Sequence, residues 1–117
     1  MANVSLMQQL QGYLEITNQR QQTIAANMAN VDTPGYHTQD IDFQKALQNA
    51  VVEGKDASAT PASIEVQGLN ERPDGNNVSM DREGLNLAEA QLKFKTGVAL
   101  LHQEYQRVMD AIHSDGK

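Results

Sequence analysis

Cysteine and tryptophan are absent from this 117-residue chain, and proline occurs only three times. Without cysteine there is no disulfide framework, no thiolate nucleophile and no Cys-ligated zinc, and the redox compartment is left open. Aromatic residues are confined to two Phe and three Tyr. So few bulky rings argue against a deep core and predict thin helical seams instead. Basic residues are also in deficit, with 9 Lys+Arg against 15 Asp+Glu and a net charge of −6. A surface of that sign repels phosphates, which excludes nucleic acid and anionic lipid as expected partners. No run approaches the roughly 20 apolar residues of a membrane span, and the first 20 residues lack the basic, apolar and cleavage regions of a secretory leader. No membrane insertion and no cleaved signal are expected, and the length bounds the chain at one structural domain.

Two long helical patterns are present. From Asn3 to Val31 no proline intervenes, and Met7, Leu10, Leu14, Thr17, Gln21, Ile24, Met28 and Val31 recur at alternating spacings of three and four. After Asp81 the same alternation runs through Leu87, Gln91, Phe94, Val98, Leu101, Tyr105, Val108 and Ile112. Each reads as one narrow apolar stripe, with Leu10, Leu14, Ile24 and Met28 expected to pair with Phe94, Val98, Leu101, Tyr105, Val108 and Ile112. Between them, 42–52 has helical spacing, 53–63 reads as a loop of small polar residues, Ile64–Val66 alternates like a brief strand, and 72–77 (RPDGNN) is turn chemistry. The fold class is therefore mainly α. Long N- and C-terminal helices pair as a coiled coil or helical hairpin around a short irregular centre that contains a short helix and a brief β-strand. Residues 1–36, 37–80 and 81–117 form the three parts. A helix of about 29 residues is roughly 43 Å long, longer than the ~34 Å breadth of a sphere with the ~13 Å radius of gyration of a compact chain this size. Such helices outrun a globule and suit assembly.

Catalysis and metal binding find little support. There is no nucleophile elbow, HExxH, P-loop or GxGxxG pattern, and the three histidines are far apart in sequence. Asn70, Arg72, Asp74, Gly75 and Asp81 fall near positions of a calcium loop, but a cation, an internal proline and a terminal Asp spoil the ligand set. Those residues make a turn and a helix start more simply, with Ser79 or Asp81 as N-cap. Asp40 and Asp42 read as helix-capping residues, and Lys93 and Lys95 as a solvated flank beside Phe94. No catalytic residue, cofactor or metal is expected.

The most specific string is Ala26 to Tyr36 (ANMANVDTPGY), in which Pro34 and Gly35 suit the central positions of a type II turn. With Asn27, Met28, Ala29, Asn30, Thr33, Pro34, Gly35 and Tyr36, it resembles the N-terminal signature of the flagellar rod, hook and hook-filament axial family. That pattern is Asn, aliphatic, Ala, Asn, two variable residues, then Thr-Pro-Gly-Tyr. The resemblance covers the whole chain, because the family also pairs terminal heptad helices around a variable centre. The string Asp74 to Glu83 (DGNNVSMDRE) and the ending Val108 to Ile112 are similar to the short proximal-rod type, although Ser79 stands where an acidic residue is common.

The resemblance implies a structural subunit of the basal-body rod, exported without a cleaved signal through the flagellar type III apparatus and polymerised in the periplasm to transmit torque. The implied partners are other rod proteins, further copies of this chain, the rod–MS-ring junction protein and the export apparatus. A reading from a different class is a soluble helical-hairpin adaptor or export chaperone that acts as a discrete dimer.

Overall fold

Ser5 starts the first helix with a reciprocal cap: its hydroxyl accepts the Gln8 N–H at 3.1 Å, and the Gln8 side chain accepts the Ser5 N–H at 3.1 Å. In this computed structural model, which describes residues 5–52 and 63–115, helix α1 runs Leu6–Ala29. Strand β1 (Gln39–Ile41), helix α2 (Phe43–Val52), strand β2 (Ser63–Glu65) and helix α3 (Met80–Asp115) follow. The Asp42 carboxylate accepts the Lys45 N–H at 3.1 Å and caps α2. Ser79 caps α3 through its hydroxyl, which accepts the Arg82 N–H at 3.3 Å. The strands form one antiparallel ladder, with Gln39 opposite Glu65 and Ile41 opposite Ser63. The loop expected over 53–63 lies, except for Ser63, outside the described residues.

Helices α1 and α3 pack along one another as an antiparallel pair: Leu6 and Leu10 lie beside Leu100 and Glu104 at one end, and Asn27 meets Glu83 at the other. The molecule is accordingly elongated, 70 × 29 × 17 Å with a radius of gyration of 18.1 Å, against ~13 Å for a compact chain of this length. A small core of Ile16, Ile41 and Ala50, with Phe43, Ala46 and Leu47 against it, joins α1, β1 and α2. Tyr13 and Phe43 meet edge to face at 5.7 Å between centroids, which locks α2 onto α1.

On α3 one of the two rows of the apolar alternation is displaced by one residue. On α3 the buried row is Glu83, Ala90, Gly97 and Glu104, at intervals of seven, beside half-buried Leu87, Phe94, Leu101 and Val108. Val98, Tyr105 and Ile112, expected in the pairing seam, are 45%, 52% and 58% exposed. On α1 Thr17 and Ile24 of the alternation are buried, Leu10 and Leu14 are half-buried, and Asn27 is buried beside half-buried Met28. The physical reason is close approach. A Cβ built at Gly97 would lie 2.7 Å from Leu14 Cδ2 and 3.0 Å from Tyr13 Cδ1, so the helices touch where a side chain is missing, not where the larger Val98 stands.

Lys93 also differs from the solvated-flank reading. Its ammonium sits 4.7 Å from the Phe43 ring centroid and 3.1 Å from Glu89, and Glu89 in turn lies 3.5 Å from Arg20. These contacts tie α3 to α2 and α1. Hydrogen bonding by Lys93, followed by the charges of Lys93 and Arg20, holds the Glu89 carboxyl below the usual carboxylate range.

Candidate functional site

The string that ends α1 folds as a capped helix stop running directly into a tight turn. Asn30 is the C-cap: its N–H donates to the carbonyls of Ala26 and Asn27, both at 3.1 Å, and its side-chain Nδ2 donates to Ala26 O at 2.7 Å. Its Oδ1 accepts the Thr33 hydroxyl at 3.0 Å. The Tyr36 N–H returns to Thr33 O at 3.2 Å, closing a turn with Pro34 and Gly35 at its centre and Gly35 at φ +76°. Pro34 sets the first central φ and Gly35 accepts the second without a Cβ clash, as a type II turn needs. Ala29 is the last residue of the helix and is exposed, as are Thr33, Pro34 and Gly35.

Asn27 organises the interior. It is 1% exposed and uses its whole amide. Oδ1 accepts the Tyr36 hydroxyl at 2.9 Å and the Gln39 N–H at 3.0 Å, while Nδ2 donates to Gln39 O at 2.7 Å and Glu83 Oε2 at 3.3 Å. One side chain therefore joins α1, the turn, β1 and α3. The other Glu83 oxygen accepts Arg82 Nη1 at 2.8 Å, so this buried carboxylate is paired. Burial, followed by the nearby Glu83 charge, pushes the Tyr36 phenol above its ordinary value and keeps it a donor.

The second string, 74–83, completes the same unit from the other side. Asn76 is fully buried, and its Nδ2 donates to the carbonyls of Asn30 and Thr33, each at 2.8 Å. Its Oδ1 accepts the Val78 N–H at 2.8 Å. Asn77 Oδ1 accepts the Thr38 N–H at 2.6 Å and the Thr38 hydroxyl at 2.9 Å. Arg72 donates Nη1 to Val78 O at 2.9 Å and Nη2 to Val31 O. The Gly35 N–H donates to Asp74 O at 2.9 Å, and a Cβ on Gly75, itself at φ +86°, would approach Gly35 Cα to 3.3 Å. The two strings are thus the halves of one polar junction that fixes the end of α1 against the start of α3.

The chain matches the family model described as flagella basal body rod protein over residues 7–37, which span α1 and the turn. Over 86% of its length it is 33% identical to flagellar basal body rod protein FlgB of Escherichia coli (strain K12), covering 88% of that protein. FlgB of Salmonella typhimurium is likewise 33% identical, over 85% of this chain and 86% of the relative, and FlgB of Yersinia enterocolitica is 31% identical over 85% and 87%. The chain belongs to the FlgB family of flagellar basal body rod proteins. Its role is that of a structural rod subunit, and the junction is where this rod protein converts its two signature strings into geometry.

Of the residues singled out from sequence, the structure brings Asn27, Asn30, Thr33, Pro34, Gly35 and Tyr36 into the junction, whereas Val98, Tyr105 and Ile112 lie apart from it along α3. Sequence reasoning missed Thr38, Arg72 and Glu83 as junction residues and read Asn76 and Asn77 only as turn chemistry and type signature. The Asp-Gly-Asn-Asn string was the available signal, but its partners lie some forty residues away. Of the calcium-loop positions, Arg72, Asp74 and Gly75 lie in one turn, whose Gly75 N–H donates to Arg72 O at 2.8 Å.

Proposed function

We propose that this rod protein polymerises with copies of itself and with other rod proteins through its paired terminal parts, 1–36 and 81–117, and that residues 37–80 act as the variable segment. The tube so formed transmits torque. The observation that carries this reading is the surface of α3. Leu85 and Leu92 are 73% and 66% exposed, and Val98, Tyr105 and Ile112 are also open, although α3 is already paired with α1. Leu92 lies two residues, about 200°, round the helix from buried Ala90, so the intramolecular partner leaves this outer face uncovered. Apolar residues repeated along a rod-shaped molecule suit lateral burial by neighbouring subunits.

On this reading the Asn27 to Tyr36 turn holds the direction in which the chain leaves the tube wall. The work is binding, not catalysis. The chain leaves the cytoplasm through the flagellar type III apparatus and meets the rod–MS-ring junction protein in the periplasm. Among the described residues no helix is long and apolar enough to cross a membrane. The test is electron microscopy of basal bodies purified from cells lacking this chain, with complementation as control. Membrane rings without a rod, restored by complementation, are expected. Complete rods and hooks in its absence would overturn the reading and favour a discrete dimeric adaptor.

A further inference from the structure

His37 lies between the turn and β1, and the junction makes no use of its ring. Both edges of that ring are occupied: Nδ1 is 2.5 Å from Glu65 Oε1 and Nε2 is 2.6 Å from Glu71 Oε1. Ionised carboxylates only accept hydrogen bonds, so both ring nitrogens must carry protons, and only the imidazolium does. A neutral ring in either tautomer turns a lone pair toward one carboxylate at contact distance. The carboxylates approach opposite edges of the ring and so do not converge on one ion. Among the described residues no group of three or more His, Cys, Asp or Glu is placed to hold a metal.

The three residues join segments that have little else to hold them. Strand β2 is three residues long and exposed throughout, and among the described residues it pairs with the equally short β1. A ribbon of that size is not stable by itself. Its neighbouring ties are the Val66 N–H to Thr38 O at 3.0 Å and the Ser63 hydroxyl to the Gln39 side chain at 2.9 Å. The charged groups acting on the ring are Glu65 from β2 and Glu71 from the following loop. Asp40 of β1 is engaged by Arg20 at 3.4 Å, and Arg72 by the carbonyls of Val31 and Val78.

We propose that His37, Glu65 and Glu71 form a proton-operated latch, which fastens residues 63–71 to the junction while the imidazole is charged and frees them when the proton leaves. Release would change the surface beside the junction without touching the buried Asn27, Tyr36 and Glu83 contacts. The hydrogen bond to Glu65, then that to Glu71, raises the folded-state affinity of the ring for its proton above the ordinary value near 6.5. While both carboxylates are ionised, the latch is therefore fully formed below that ordinary value and is lost as pH rises through the raised one.

The test is nuclear magnetic resonance on the full chain, following the His37 ring signals and Val66 amide exchange, corrected for intrinsic rates, across pH. The expected result is a ring midpoint above the ordinary histidine value near 6.5. Val66 protection should fall over the same interval, by about tenfold for each unit of that difference. Glu71→Gln should lower the midpoint, and His37→Gln should abolish the pH step while amides at the centre of α1 and α3 keep their protection. A His37 midpoint at or below that ordinary value, or Val66 protection indifferent to pH and to both variants, would overturn the latch.

Discussion

The two ends of the α1–α3 pair are held by opposite kinds of chemistry. At the junction, Asn27, Asn76 and Asn77 are buried and hydrogen-bonded to backbone groups of segments distant in sequence, so the geometry is specified by direction and distance. Toward the other end the contacts are a glycine and half-buried aliphatic residues, with larger apolar side chains facing outward. Polar junctions specify one arrangement because every unmatched group is costly. Thin apolar seams specify less and leave surface to share. One chain therefore combines a junction closed on itself with an outer α3 face, from Leu85 to Ile112, that α1 leaves uncovered.

Removing the polar end should have the largest effect on stability. Asn76→Ala strips partners from the Asn30 and Thr33 carbonyls and the Val78 N–H, and unfolding in urea should show a loss of about 3 kcal/mol. Gly35→Val should cost about 2 kcal/mol, because a β-branched residue is forced to φ +76°. Pairing it with Pro34→Ala should impair assembly more than expression, and normal swimming by the double variant would count against the role given to the turn. At the seam, Gly97→Leu collides with Leu14 and Tyr13 and should also cost about 2 kcal/mol, read from thermal unfolding. It should leave the amide-exchange protection of Gln39, which is bonded to Asn27, close to that of the unaltered chain.

The smallest effect should come from acid. Glu89 titrates below the usual range beside Lys93 and Arg20, so its contribution is present above pH ~4.5 and is lost as pH falls through the lower folded value. The carboxylate is half exposed, so the loss stays under about 0.5 kcal/mol. Glu89→Gln should remove that part of the acid dependence in a pH series of unfolding midpoints.

The helices, the type II turn, α2 and the brief strand were legible in the sequence because each rests on local spacing or on residue types with one conformational use. The heptad row 87, 94, 101 and 108 was legible too. Its companion row was not: Val98, Tyr105 and Ile112 are apolar and Ala90, Gly97 and Glu104 are small or charged, so hydrophobicity pointed one residue away from the closer packing. Glu83 is hidden for a related reason. A carboxylate becomes a tolerable buried group only when Arg82 and Asn27 reach it, and no spacing rule shows a bond from residue 27 to residue 83. The motif strings were visible as strings, but their mutual contact belongs to the folded chain.

The most direct test of the division between a self-held junction and an outer face kept for neighbours is a double substitution on α3, Leu92→Gln with Val98→Gln, placed in the chromosomal gene. The purified variant is compared with the unaltered chain in urea unfolding, and its basal bodies are imaged. The expected result is an unfolding free energy within about 0.5 kcal/mol of the unaltered chain, together with basal bodies that lack a rod. Complete rods and hooks built from that variant would contradict the account.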